Sequence, residues 1–270
     1  MKRKKSSVII VVILCLYLIL PLALTFLYSM FQQWTDLLPT GFTLRYFGQV
    51  FSDTRFLTAL GRTVLISVLP ILLCTAIVLL AMYVVVVYLP WLDRVMQVLC
   101  MIPYAIQGII LAVGILSLYV DAPEPFSNRI FMLTAAYCVM ILPYMYQSIK
   151  NNLTAVNASR LLETAQILGA GKLRAFFTVI VPNILSGIVI SMMLSASMVF
   201  GDFVVVNTIG GSYFETAQMY LYKMLAVSGQ LTSALIVLLF LTTLLISGAL
   251  VSLKNRKKDS GIYKTEKTRE

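Results

Sequence analysis

Glu163-Thr164-Ala165-Gln166-Ile167-Leu168-Gly169-Ala170-Gly171 runs on through Lys172-Leu173-Arg174 to Val181-Pro182, a long polar and amphipathic stretch between hydrophobic runs. Leu161, Leu162, Ala165 and Leu168 recur at three- and four-residue spacing, which predicts one apolar face of a helix. Gly169 and Gly171 then supply the backbone freedom that a sharp corner needs. Beyond the corner, Leu173, Phe176, Phe177 and Ile180 predict a second apolar face, and Pro182 opens the next hydrophobic run as a helix start. Helices this short are marginal in water on their own. An L-shaped pair of them on the aqueous side of a membrane protein implies something to dock against.

The membrane class follows from composition. Of 270 residues, 60% are hydrophobic and 12% charged, and the mean hydropathy is +0.91. Soluble domains carry about twice that share of charge. A span takes about 20 apolar residues, so six of them leave only short loops and no room for a separate soluble domain. The net charge of +10 would suggest nucleic acid in a soluble protein; here membrane topology explains it, and no nucleic-acid partner is expected. Cys15, Cys74, Cys100 and Cys138 each lie alone in an apolar run and read as small buried hydrophobes. The chain has no histidine, which excludes His-based metal sites and Ser-His-Asp or Cys-His nucleophiles.

In chain order, a basic N-terminus (1–7) precedes an uncharged run from Val8 to Phe31, too long for a signal-peptide core and read as a retained first span. A polar connector from Gln32 to Arg62, holding Asp36, has Thr43–Phe47 as a candidate short helix along the membrane. Thr63 to Leu89 is the second span, with Pro70 as a kink. After a turn at Pro90–Arg94 comes the third, Val95 to Val120, carrying Pro103. The fourth runs from Ile130 to Ile149 around Pro143, and the Glu163 loop occupies about 150–182. The fifth extends from Pro182 to about Val206, with Ser186, Gly187, Ser191 and Ser195 as a small-residue packing surface. A connector from Asn207 to Gln230 leads to the sixth, about Leu231 to Leu253. The single six-span transmembrane domain is thus 8–253, followed by a basic tail (254–270) that reads as disordered.

Orientation comes from counting. Sixteen of the 21 Lys and Arg residues fall on the side of the two termini, the Pro90–Arg94 turn and the Glu163 loop. The positive-inside rule places that side in the cytoplasm.

The residues of the loop also carry a resemblance. Glu163-Thr164-Ala165, then Gly169, then Val179-Ile180-Val181-Pro182 resembles the EAA loop of ABC importer permeases. Thr164 stands in place of the usual second Ala, and Val179 and Val181 in place of Ile and Leu. The resemblance implies an all-α membrane protein of six transmembrane helices, with a cytoplasmic coupling loop between the fourth and fifth, in a bacterial inner or plasma membrane. It implies one half of a type I importer's pore, and no catalysis by the chain. Glu163, Thr164, Ala165, Gly169, Ala170 and Pro182 would couple it to a cytoplasmic ATPase dimer, with Glu163 pairing to basic residues there and Gly169 permitting close approach. A second, related permease and an extracytoplasmic solute-binding protein complete the expected set of partners, besides membrane lipid.

The chain itself is expected to bind no cofactor, ATP being held by the partner ATPase. Gly169-Ala170-Gly171-Lys172 is not a phosphate-binding loop, because Gln166 stands at the first glycine position and Leu173 follows the lysine. Taken alone, Glu163 reads as a solvated carboxylate at the start of a helix.

Asp202 is the one carboxylate within an apolar run. Counted from Ile184 at 1.5 Å per residue it lies about 27 Å along its helix, near the outer interface. It is a candidate for the translocation pathway; the other reading is a carboxylate that caps a helix end. The segment from Gly201-Asp202-Phe203 to Gly210-Gly211 resembles permeases for polyamines and for 2-aminoethylphosphonate. A carboxylate at the mouth favours the polyamine, spermidine or putrescine, with 2-aminoethylphosphonate as the alternative. An ATP-independent secondary transporter would show paired interrupted spans in inverted halves, and a membrane enzyme would show titratable residues grouped at one depth. Neither pattern is present in the sequence.

Overall fold

A computed structural model describes residues 2–34, 39–106 and 108–266. Asp36 of the first connector and Lys267 and Arg269 of the basic tail lie outside them. Among the described residues, five helices are long and apolar enough to cross a membrane, and six if one bent pair counts as a single span. The chain divides into two compact units, one of Met1–Gly61 with Thr216–Leu244, the other of Arg62–Glu215 with Leu245–Glu270.

In the first unit, α1 (Lys2–Ser29) is one uninterrupted helix despite Pro21. The side chains from Ile10 to Leu24 face outward from the chain, as lipid-facing residues do, whereas Ser29 at the helix end is buried. A two-stranded hairpin follows, β1 (Phe31–Gln33) antiparallel to β2 (Thr40–Phe42), with Phe31 opposite Phe42. Their rings meet edge to face at 6.1 Å, and Tyr28 lies 5.8 Å from Trp34. The short helix expected in this connector is α2 (Arg45–Ser52), with Val50 buried. The second span starts earlier than Thr63: α3 runs Thr54–Val87, of which the part up to Gly61 belongs to this unit and the rest to the second. Asp53 explains this start, since its Oδ1 accepts the Arg55 N–H at 2.8 Å and so caps the first turn. Phe56 and Ala59, inside the supposed connector, are buried apolar residues of that helix. Tyr220 of α11 (Ala217–Met224) donates to Asp53 Oδ2 at 2.5 Å.

The second unit is built on α6 (Arg129–Ala155) and α9 (Val181–Phe200). Tyr137, Ile141, Met145 and Ile149 on α6, and Ile184 and Ile188 on α9, are buried. Ser148 Oγ donates to the Gly187 carbonyl at 3.1 Å, a close approach that a glycine permits. The third span is not one helix. It divides into α4 (Leu92–Ala105) and α5 (Gly108–Tyr119), inclined by 98°. Pro103 lies in the last turn of α4, where it cannot donate a hydrogen bond. Pro70 and Pro143, by contrast, lie inside helices that continue past them. Cys74 and Cys100 are buried and Cys138 half-buried, whereas Cys15 is exposed on α1; all four are free thiols.

The fifth span ends at Phe200, short of Val206. Gly201 terminates α9, and Val204–Gly210 forms a separate short helix, α10. The sixth span lies in α12, which begins at Gly229 and continues to Glu266. Its backbone is helical where a disordered tail was expected from Lys254, in keeping with the high helix propensity of Lys, Arg and Glu.

Candidate functional site

The segment between α6 and α9 holds the motif residues. α6 overruns Ile149 by six residues, to Ala155. Asn157, at φ 48°, turns the chain into α7 (Ala158–Ile167). Leu162 and Ala165 are buried, as the periodicity predicts. Leu168 is not on that face: with Ile167 it is among the most exposed apolar residues of the chain, 83% and 86%. Leu168 is already the residue after the last helical one, at ψ 7°, so the 3.6-residue period no longer governs it.

The corner itself is a glycine C-cap. Gly169 has φ +86°, its N–H bonds to the Gln166 carbonyl at 2.9 Å, and the Ala170 N–H reaches back to Ala165 at 3.0 Å. Those two bonds satisfy carbonyls that the end of α7 would otherwise leave unpaired. A Cβ on Gly169 would meet no atom of the chain within 4 Å. Backbone conformation within the chain, not space, calls for glycine here. Glu163 and Thr164 are exposed on α7. The Thr164 hydroxyl is taken up by the Arg160 carbonyl at 2.9 Å. The Glu163 carboxylate has no ion pair among the described residues.

The expected second short helix is not separate from the fifth span. α8 (Lys172–Ala175) passes through a π turn (Phe176–Ile180) directly into α9. Pro182 therefore lies within a continuous helical run, Lys172–Phe200, and does not open a new helix. The wide turn lets the chain pass a residue that cannot donate: the Val181 N–H bonds back to Phe176 O, five residues away. Phe176 and Ile180 are buried as predicted, but Leu173 and Phe177 are exposed.

Sequence reading missed the group at the root of the loop. Lys150 Nζ lies 2.9 Å from Asp93 Oδ2 and 3.0 Å from Gln97 Oε1. Tyr146 Oη lies 3.0 Å from Asp93 Oδ1. Together they pin the start of α4 to α6. A cavity of about 320 Å³ beside them is lined by Asp93, Lys150, Leu153, Asn157 and Ser159 among others. The available signal was that Asp93 and Lys150 are the charges nearest the ends of two adjacent spans.

Asp202 stands apart from the loop residues. Its Oδ2 accepts the Tyr137 hydroxyl at 2.9 Å and the Val205 N–H at 3.0 Å. The carboxylate thus bridges α6 to the first turn of α10, which also explains why the apolar run breaks at Gly201. Of the two readings of Asp202, this geometry matches the helix-end cap.

Three comparisons bear on the family. Residues 74–258 match the family described as the binding-protein-dependent transport system inner membrane component. PhnV of Salmonella paratyphi A, named as a permease protein of a 2-aminoethylphosphonate transport system, is 26% identical over 203 residues, 74% of this chain and 75% of its own. An ABC transporter permease protein of Sinorhizobium fredii, y4fN, is 26% identical over 161 residues, 56% of this chain and 28% of its own. The crystal structure of a bacterial ABC transporter that imports the acidic polysaccharide alginate shares the fold, with a TM-score of 0.58 at 16% identity over 93% of this chain and 94% of that one. A family match over more than half the chain, on a helical scaffold with spans of the right length, is decisive: the protein is a multi-pass inner-membrane component of a binding-protein-dependent transport system, a permease and not an enzyme.

Proposed function

We propose that this chain is one membrane half of an ATP-driven importer and that the Gly169 corner is where a cytoplasmic ATPase engages it. The observation that carries this reading is the pair Ile167–Leu168, two large apolar side chains held almost fully exposed beside the free carboxylate of Glu163. Adjacent exposed aliphatic residues next to a charge, at a fixed backbone corner, match the needs of a protein partner. The bias of Lys and Arg supports a cytoplasmic position for the corner and both termini. One coupling loop addresses one ATPase subunit, so the working unit holds two ATPases and two membrane chains, the second a related but different permease.

For the solute, a small amine-bearing molecule fits, with 2-aminoethylphosphonate now ahead of spermidine and putrescine. Two observations support that order: the relatives named for the aminophosphonate, and the engagement of Asp202 by Tyr137, which weakens the case for a cation-attracting mouth. The test is uptake into proteoliposomes of 2-aminoethylphosphonate, spermidine and putrescine, each presented by the cognate binding protein. Uptake is expected only with ATP and the ATPase present. Uptake without the ATPase overturns the importer reading; carriage of a polyamine and not the aminophosphonate reverses the ranking alone.

A further inference from the structure

We propose that Tyr83 on α3 is a positioning residue that ties the Gly169 corner to the second span, so that a push on the corner moves α3 together with α9. The proposal rests on the reading that an ATPase drives the corner. The Tyr83 ring meets Phe176 edge to face, with centroids 5.2 Å apart and planes at 66°. Phe177 lies 6.4 Å from the same ring and 5.4 Å from Phe176. On its other side Tyr83 packs against Tyr88 at 5.8 Å, the two hydroxyls 3.4 Å apart. Lys172, the first residue of α8, holds its ammonium 4.9 Å from the centre of the Tyr88 ring. These five side chains join the end of α3 to the helical run that leaves the corner.

The two spans receive motion by different means. α9 is continuous with the corner through backbone alone, from Lys172 through the π turn to Phe200. α3 has no such covalent route and depends on side chains. Edge-to-face rings fix both separation and angle, and Phe176 is fully buried, so it cannot yield when Tyr83 presses on it. An aliphatic residue at position 83 would fill part of the space but leave the angle free.

The test needs no knowledge of the solute. In the permease–ATPase complex, with the native cysteines replaced, spin labels are placed at Leu72→Cys on α3 or Leu194→Cys on α9, both outward-facing positions. The change in label accessibility on adding ATP is then read in lipid. In otherwise unaltered protein both labels are expected to respond. With Tyr83→Leu the α9 label still responds while the α3 response falls by about tenfold, the scale of two or three lost ring pairs. Tyr83→Phe, which keeps the rings and loses only the hydroxyl contact, is expected to restore it. An undiminished α3 response in Tyr83→Leu, or a loss in Tyr83→Phe equal to that in Tyr83→Leu, overturns the proposal. If Tyr83→Leu does not fold, Phe177→Leu must reduce the α3 response selectively, and a full response there overturns the proposal equally. Silence of both labels before any change at Tyr83 refutes instead the reading that ATP drives the corner, and the link falls with it.

Discussion

The side chain of Asn152 on α6 occupies the space into which a Cβ on Gly187 of α9 would project. The Asn152 amide is itself fixed there, donating to the Ser148 carbonyl at 2.8 Å, while the Ser148 hydroxyl holds Gly187 O. Gly187→Ala is therefore expected to force the two helices apart and destabilise the protein by about 1–3 kcal/mol, the usual scale of overpacking. Thermal unfolding in detergent checks this against Gly114→Ala. That glycine, also helical, has nothing within 4 Å of the added methyl, and its substitution is expected to be neutral or slightly stabilising.

At the corner, Gly169→Ala has room for its methyl but not the conformation, since φ +86° costs an ordinary residue about 1–2 kcal/mol. It is expected to lower transport partially. Gly169→Asp and Glu163→Lys are expected to leave the protein inserted and to abolish transport, at least one of them by losing the ATPase. Co-purification and uptake assays measure both effects; full activity in both charged variants removes the corner from the coupling role.

Tyr137 and Asp202 give a test of structural against pathway roles. Tyr137→Phe deprives a half-buried carboxylate of a donor, an expected loss of about 1–3 kcal/mol. Asp202→Asn keeps an acceptor oxygen for the Val205 N–H and is expected to lose less. If Asp202 is purely a bridge, the KM for 2-aminoethylphosphonate stays unchanged in Asp202→Asn. A shift of about tenfold or more, equivalent to about 1.4 kcal/mol, returns Asp202 to the pathway.

Asp53 carries a pH dependence whose sign is set by its partner. The Tyr220 hydroxyl, more than any other neighbour, holds the Asp53 carboxyl below the ordinary carboxylate value of 3.8, against the opposing effect of burial. A group lowered in the folded state stabilises above its unfolded value and loses that contribution as pH falls through the folded one. The contribution is thus expected to be full at neutral pH and to disappear on acidification below about pH 4. Tyr220→Phe is expected to shrink this acid-side loss, and Asp53→Asn to remove it, in melting curves taken across that range.

Much of the architecture could be read from residue order because lipid imposes a simple code. Runs of about 20 apolar residues must be helical, and a glycine between two amphipathic faces marked the corner at Gly169. What escaped the reading were places where one side chain overrules the local pattern. Asp53 begins α3 nine residues early by capping it, and Asp202 ends an apolar run by bonding across to Tyr137. Leu168 fits the helical period in sequence yet leaves the helix one residue too soon to obey it. The Asp93–Lys150–Tyr146 group escaped because its members are far apart in the chain, and only the place of two charges at the ends of adjacent spans hinted at it.

The π turn ahead of Pro182 bears on how the chain tolerates insertion and deletion. Such a turn holds one residue more than an α turn, and one residue corresponds to about 100° of rotation around a helix axis. Deleting a residue between Phe176 and Ile180 can relax the turn to α geometry without breaking the flanking helices. Everything before it, Gly169 included, then keeps its direction around α9, because the same turn is closed with one residue fewer. A chain shortened there should fold, insert and present its corner as before, whereas one residue lost from the α-helical part of α9 should turn the corner by about 100°.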